Sequence, residues 1–155
     1  MVPVSRPRPL DIAEAGFRDL EWDSLRSDEQ SVVEVAFSDS LITLASAFMF
    51  EEEHRFVVFL HFGPPAPRNR FPEVHELLAL ANHGLVVGNW EMSLDTGEIR
   101  FRVGVDYGRD PLTKELFLAA IRSAVKAADT YQDALLAVVE GRKGAREANQ
   151  AAEAK

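Results

Sequence analysis

The stretch Trp90-Glu-Met-Ser-Leu-Asp-Thr-Gly-Glu-Ile-Arg-Phe-Arg-Val103 alternates apolar and polar residues on both sides of a turn signal. A period of two over four to eight residues marks a half-buried strand, and a glycine-containing turn between two such runs marks a hairpin. A two-residue Thr96-Gly97 loop opposes Asp95 to Glu98. It then pairs Leu94 with Ile99, Met92 with Phe101 and Trp90 with Val103 on one face. Glu91 meets Arg102 and Ser93 meets Arg100 on the other. One register satisfies every apolar and every charged pair, so an antiparallel sheet with one buried face is the expectation.

Working outward, Phe71-Pro-Glu-Val-His-Glu-Leu-Leu-Ala-Leu-Ala-Asn82 precedes the hairpin and has helical spacing. Pro72 suits the first helical position, Glu73 and Glu76 suit the positive end of the helix, and Phe71, Val74, Leu77, Leu78 and Ala81 form one stripe. Gly84 is read as its left-handed cap. Upstream lie three strand-like runs: Val32–Phe37, Leu41–Phe50 and Arg55–Phe62, separated by Ser38-Asp39-Ser40 and Glu51-Glu52-Glu53. Gly63-Pro64-Pro65-Ala66-Pro67 ends the third, since proline cannot donate into a ladder. Downstream, Thr113 caps a long helix whose Phe117, Ile121, Ala124, Ala128, Tyr131, Leu135 and Val138 repeat at spacings of four and three until Gly141. Such a stripe fits against a sheet or in a short coiled coil. Unbroken, the helix is about 40 Å long, so one end is expected to project or meet a partner.

The expected fold class is therefore α+β: a five-stranded antiparallel sheet made of a three-stranded meander, a helix, a hairpin and a long C-terminal helix. Residues 11–141 form a single domain. Residues 1–10 read as a flexible Pro-rich tail, residues 11–20 as a short helix weakened by Gly16, and residues 142–155 as a polar, Ala-rich tail.

Composition narrows the function classes. The chain has 155 residues, 46% of them hydrophobic, ten phenylalanines and no cysteine. A core can form without disulfides, thiolate metal sites are absent, and a reducing, cytoplasmic setting is expected. No apolar run approaches the roughly 20 residues of a membrane span, and the N-terminus lacks the apolar segment of a secretory signal. Of the formal net charge of −8, the acidic share is concentrated between residues 11 and 53, where twelve acids face two bases. Such a surface disfavours direct nucleic-acid contact.

Motifs for chemistry are missing. There is no G-x-S-x-G elbow, no G-x-x-x-x-G-K-[ST] phosphate loop and no G-x-G-x-x-G turn. The four histidines (His54, His61, His75, His83) show no H-x-x-x-H or H-E-x-x-H spacing. Glu51-Glu52-Glu53-His54 could in principle hold a cation, but adjacent residues cannot all converge on one point, and a solvated hairpin tip is the simpler reading. Glu91 reads as the ion-pair partner of an arginine and His61 as a structurally satisfied histidine. No catalytic residue, metal site or cofactor is expected.

The informative feature is the sheet's second face. Pairing Phe37 with Ile42 and Phe50 with Phe56 assigns Val33, Val35, Phe37, Ile42, Leu44, Phe48, Phe50, Phe56, Val58, Leu60 and Phe62 to the core side. It leaves Ala45, Ala47, Met49, Val57, Phe59 and His61 facing outward, with Met49 opposite Val57, Ala47 opposite Phe59 and Ala45 opposite His61. An exposed apolar strip of this kind marks a protein-binding or dimer interface. Alternatively, the N-terminal segment with Ile12, Phe17, Leu20, Trp22 and Leu25 folds over it.

The helix Phe71–Asn82, the runs Gly88-Asn-Trp-Glu91 and Leu94-Asp-Thr-Gly-Glu-Ile-Arg-Phe-Arg102, then Asp110-Pro-Leu-Thr-Lys-Glu-Leu116 and Ala128-Asp-Thr-Tyr131 together resemble the YbjN-like bacterial family of sensory transduction regulators. The likeness covers about half the chain, and the three preceding strands agree with the family pattern. It implies a fold similar to type III secretion chaperones, an often dimeric assembly and no known chemistry. The resulting expectation is a non-catalytic, protein-binding regulator or chaperone-like adaptor, acting as a homodimer with an unidentified protein partner. One alternative is a small-molecule sensor with a pocket between Trp90 and the last helix; another is an accessory to a nucleic-acid process acting through a protein partner.

Overall fold

The computed structural model describes residues 1–2 and 4–155. Helix α1 (Pro9–Asp19) is followed by β1 (Leu25–Ser27), β2 (Val32–Ala36), β3 (Ile42–Phe50) and β4 (Arg55–Phe62). Then come α2 (Phe71–Gly84), the hairpin β5 (Asn89–Met92) and β6 (Ile99–Asp106), and the helices α3 (Lys114–Val139) and α4 (Ala145–Glu153). The strands form one antiparallel sheet in the order β1-β2-β3-β4-β6-β5. The α+β class and element order expected from sequence hold. The sheet has six strands rather than five, because the three residues of β1 add a strand beside β2.

Three sequence registers change: between β2 and β3 the expected Phe37–Ile42 ladder gives way to one that sets Val35 opposite Ala45 and Ala36 opposite Leu44, and both hairpins shift as well. In the first hairpin Phe50 pairs with Arg55, closing a four-residue turn in which His54 takes a positive φ, and a bulge at Thr43 lets Ile42 pair with Phe62 but Leu44 with His61. Bulge and turn together shift the ladder by one residue, and a one-residue shift exchanges faces. Met49 therefore lies opposite Phe56, Ala47 opposite Val58 and Ala45 opposite Leu60. In the second hairpin Trp90 pairs with Phe101 and Met92 with Ile99, two residues away from the expected ladder. A shift of two preserves faces, so Trp90 and Met92 stay on the core side, while Leu94 moves out into the turn, 62% exposed. Gly97 causes the change. Its φ is +78°, its carbonyl accepts the Ala66 N–H at 2.9 Å, and a Cβ there would stand 2.2 Å from the Ala66 oxygen. Docking on that strand exit requires the longer Ser93–Glu98 turn.

All four helices gather on one face of the sheet. Leu10, Ala13 and Phe17 of α1, Val74 and Leu77 of α2, Phe117, Ile121 and Ala124 of α3, and Ala145 and Ala148 of α4 share one core with Val33, Ala45, Ala47, Phe56, Val58 and Phe101. Phe17 meets Phe117 edge-on at 5.3 Å and Phe56 approaches the same ring at 5.7 Å. The α3 stripe presses on the sheet and on α1, and the Thr113 hydroxyl accepts the Leu116 N–H at 3.2 Å as the expected cap. Gly84 is the last residue of α2 rather than a left-handed cap, since Leu85 follows in extended conformation.

The two ends are more ordered than their composition suggests. The Arg8 N–H donates to Asp11 Oδ2 at 2.7 Å at the start of α1, and Arg26 binds Asp11, Glu14 and Asp28 at 2.7–3.3 Å, tying that helix to β1. Those bonds hold the carboxyl groups of Asp11 and Asp28 below the usual carboxylate range. The tail expected at 142–155 instead forms α4, which packs between α2 and α3. Ala145, Ala148 and Ala152 present no bulk to its neighbours, and the Ala145 N–H donates to Glu73 Oε1 at 2.7 Å. α4 thereby covers the C-terminal end of α3, so that end does not project.

Candidate interaction surface

With every helix on one side, the outer face of the sheet is left without a layer. It carries Leu25, Glu34, Ser46, Phe59, Arg102 and Asn89 in one row across the six strands. A neighbouring row holds Val32, Phe48, Val57 and Gly104, and another Ala36, Leu44, His61, Arg100 and Glu91. None of Val32, Leu44, Phe48, Phe50, Val57 and Phe59 belongs to the helix-covered core. Leu25 is 82% and Phe50 47% exposed.

The face is built from the middle outward. Phe59 stands edge-on to Phe48 at 6.0 Å, and the Arg100 guanidinium lies 3.9 Å above the Phe59 ring, with Arg102 at 5.8 Å. An arginine over an aromatic face gains electrostatically while its stem shields the ring from water. That roof leaves Phe59 only 8% exposed although no helix touches it. Both guanidiniums share Glu91, Arg100 through a close hydrogen-bonded pair and Arg102 at 3.7 Å. His61 Nε2 lies 3.4 Å from the Ser46 hydroxyl, and burial, followed by the Arg100 charge, lowers the pKa of its ring. On the opposite flank Glu34 is half-buried and, among the described residues, has no ion-pair partner.

The six residues expected on this face are thus divided. Val57, Phe59 and His61 lie on it, whereas Ala45, Ala47 and Met49 are 0–3% exposed against the helices. The correction follows from the Thr43 bulge and the four-residue turn. Leu44, Phe48 and Phe50, assigned to the core from sequence, take the outward positions, and Leu25 and Glu34 join them. The signal available in sequence was the four charged or polar residues Glu51–His54, which make the turn one residue shorter than the assumed pairing. The alternative cover is also excluded as drawn: Phe17 of the N-terminal segment packs on Phe117, on the helical side.

On that helical side a cavity of about 150 Å³ opens between Trp22, Phe37, Ile42, Leu60, Val125 and Ala128, with Ser40, Asp129 and Gln132 also in its lining. Trp22 and Phe37 stand edge-to-face at 5.0 Å and form one wall. Trp90, the anchor of the pocket expected from sequence, is 2% exposed and packs on Phe101 at 5.1 Å. No group of three or more metal-ligating side chains occurs among the described residues, and no helix of the structure is long and apolar enough to cross a membrane.

Residues 9–137 match the family model YbjN, "Putative bacterial sensory transduction regulator". The chain belongs to the YbjN family. No curated protein matches the sequence. Among solved structures, YbjN of E. coli superposes with a TM-score of 0.58 at 11% identity, covering 87% of this chain and 92% of that one. A chain of the ExsC–ExsE complex gives 0.59 at 16% identity over 80% and 90%, and a chain of the HopA1–SchA chaperone–effector complex gives 0.55 at 14% over 79% and 91%. At these identities the likeness is one of fold, a type III secretion chaperone-like arrangement of helices on an antiparallel sheet.

Proposed function

We propose that this YbjN-family chain is a non-catalytic regulator or chaperone-like adaptor that binds another protein and works as a homodimer. The observation that carries the reading is the helix-free sheet face, an apolar strip roofed by Arg100 and Arg102 and flanked by Glu34 on the other side. Contiguous apolar patches rimmed by polar groups mark protein interfaces in soluble proteins. Superposition on a chaperone–effector complex and on ExsC–ExsE supports a protein as partner.

The test compares wild type with Val57→Asp, on the open face, and Arg122→Glu, on the exposed side of α3. Light scattering after size exclusion reads self-association, and co-purification from the native host reads partners. A dimer and a specific polypeptide retained by wild type, with at least one of them lost in Val57→Asp and both kept in Arg122→Glu, support the reading. A wild type that is monomeric and retains no polypeptide at all would reject it.

A second reading, a small-molecule-sensing regulatory domain, is favoured by the cavity beside Trp22, whose size matches a single ring or a short aliphatic chain. Thermal shift across a metabolite panel tests it, with Val125→Trp filling the cavity as the control. A metabolite that raises the melting temperature of wild type but not of the filled variant supports sensing; equal shifts in both sink it.

A further inference from the structure

We infer that the occupant of the open sheet face is a second copy of this chain, related by a two-fold axis parallel to the strands and running along the β3–β4 seam. This rests on the homodimeric reading above and specifies its geometry. The seam is the natural centre: three strands lie on each side of it, and β3 and β4 are the two central strands.

An axis in the plane of the sheet and parallel to its strands places each residue opposite the partner's residue at the same distance on the other side of the seam. Glu34, on the strand beside β3, then faces Arg102 of the partner subunit, on the strand beside β4. By the same symmetry Phe48 faces Val57 of the partner subunit and Leu44 faces His61 of the partner subunit, while Ser46 and Phe59 lie between these contacts, already covered within each chain. Acid meets base on both flanks, and Phe48 meets Val57 as an apolar pair beside the seam. The competing in-plane axis, across the strands through the same row, sets Glu34 against Glu34 and Arg102 against Arg102. Like charges brought together in an interface are costly, so the charge pattern selects the first axis.

Size and twist are compatible with this packing. Strands about 4.8 Å apart and up to about 26 Å long give a face of roughly 600 Å², which side-chain relief brings near the roughly 800 Å² per partner of a standard interface. Face-to-face sheets cross at about 30°, displacing the Glu34 and Arg102 positions by about 4 Å, within reach of those long side chains. Glu34 has no ion-pair partner among the described residues, and Arg102 is exposed with only a 3.7 Å contact to Glu91. The proposed contact therefore breaks no strong internal pair.

The experiment is a charge swap with subunit mixing, read by sedimentation and light scattering. Wild type is expected at twice the chain mass. Glu34→Arg and Arg102→Glu, each alone, place two like-charge pairs in every dimer, and each is expected to raise the dissociation constant by about 100-fold. Mixing the two variants restores one opposite-charge pair of each kind, so the mixture and the double variant should return to within about 3-fold of wild type. Circular dichroism confirms that the separated variants are folded, and the rescue on mixing reads the interface even where one variant melts early. A wild-type monomer overturns the proposal and the homodimeric reading with it, leaving partner retention to test protein binding. A dimer insensitive to both reversals, or a mixture that fails to reassociate, overturns the geometry alone.

Discussion

The two faces of this sheet are drawn from the same strands, residue by residue in alternation, and they solve burial in different ways. On the helical face, the central β3 strand contributes Ala45 and Ala47, both 0% exposed, because α1 and α3 must come close. Bulk there is supplied from the helices and from β4 and β6: Phe17, Phe56, Phe101 and Phe117. On the outer face the bulk is in the strands themselves, and the cover over Phe59 is made of the Arg100 and Arg102 guanidiniums. Along β3 the helical face carries Ala45 and Ala47, whereas the open face carries Leu44, Phe48 and Phe50 around Ser46. Size along β3 thus distinguishes the sides better than hydrophobicity, which is high on both.

The largest expected effect contrasts two phenylalanines on opposite faces. Phe56 is fully buried between Phe117 and Tyr107, and Phe56→Ala should lower unfolding free energy by about 3–5 kcal/mol. Phe50→Ala, on the outer face at 47% exposure, should change monomer stability by about 0.5 kcal/mol or less. Chemical denaturation at low protein concentration measures both. Comparable losses for the two would mean that the outer face is packed within the monomer, and the contrast would collapse.

A middle-sized effect tests how closely the helical layer is fitted. Gly16→Ala in α1 gains about 1 kcal/mol of helix propensity. Its Cβ, however, would stand 2.5 Å and 2.8 Å from two atoms of the Phe117 ring, which is itself fully buried. Overpacking of this kind costs about 1–3 kcal/mol, so the net expectation is a loss of about 1 kcal/mol. A more stable variant would show that α1 can shift outward and that the layer is looser than its distances imply. The glycine that weakens the helix in sequence is thus explained by its tertiary neighbour.

Much of this architecture was legible in the residues. The α2 stripe, the α3 stripe and the Thr113 cap needed only helical periodicity, and the Trp90–Val103 hairpin needed only alternation and a turn. What misled was one-residue geometry. Nothing in Ile42-Thr43-Leu44 announces a bulge, because β-branched and aliphatic residues fit either side of it. The consequence reached the candidate site: Ala45, Ala47 and Met49 exchanged places with Leu44, Phe48 and Phe50. The second hairpin shows the converse. Its turn was misread by more residues, yet an even shift left Trp90, Glu91 and Arg100 on their expected faces. The α4 helix escaped because an alanine stripe gives a faint hydrophobic signal, and its packing depends on Glu73, far away in the sequence, which accepts the Ala145 N–H.

The smallest effect concerns the one histidine within the rows of the open face. Burial, then the Arg100 charge, lowers the pKa of His61 below its ordinary 6.5, with Glu98 and Glu34 acting in opposition. Glu91, Glu98 and Arg100 line the same polar recess, so protonation adds a charge beside a guanidinium. A folded state that holds the proton less tightly than the unfolded chain loses stability as pH falls from above 6.5 through the folded pKa. Wild type should therefore lose more melting temperature than His61→Gln between pH 7.5 and pH 5. The difference should be about one degree, given the ring's half-exposure. Subtracting the variant cancels the titration of the carboxylates common to both proteins. If the facing copy covers this ring with its Leu44, the difference grows with protein concentration, because the dimer desolvates the imidazole further. A difference of opposite sign would remove burial as the cause, and one independent of concentration would leave His61 facing solvent.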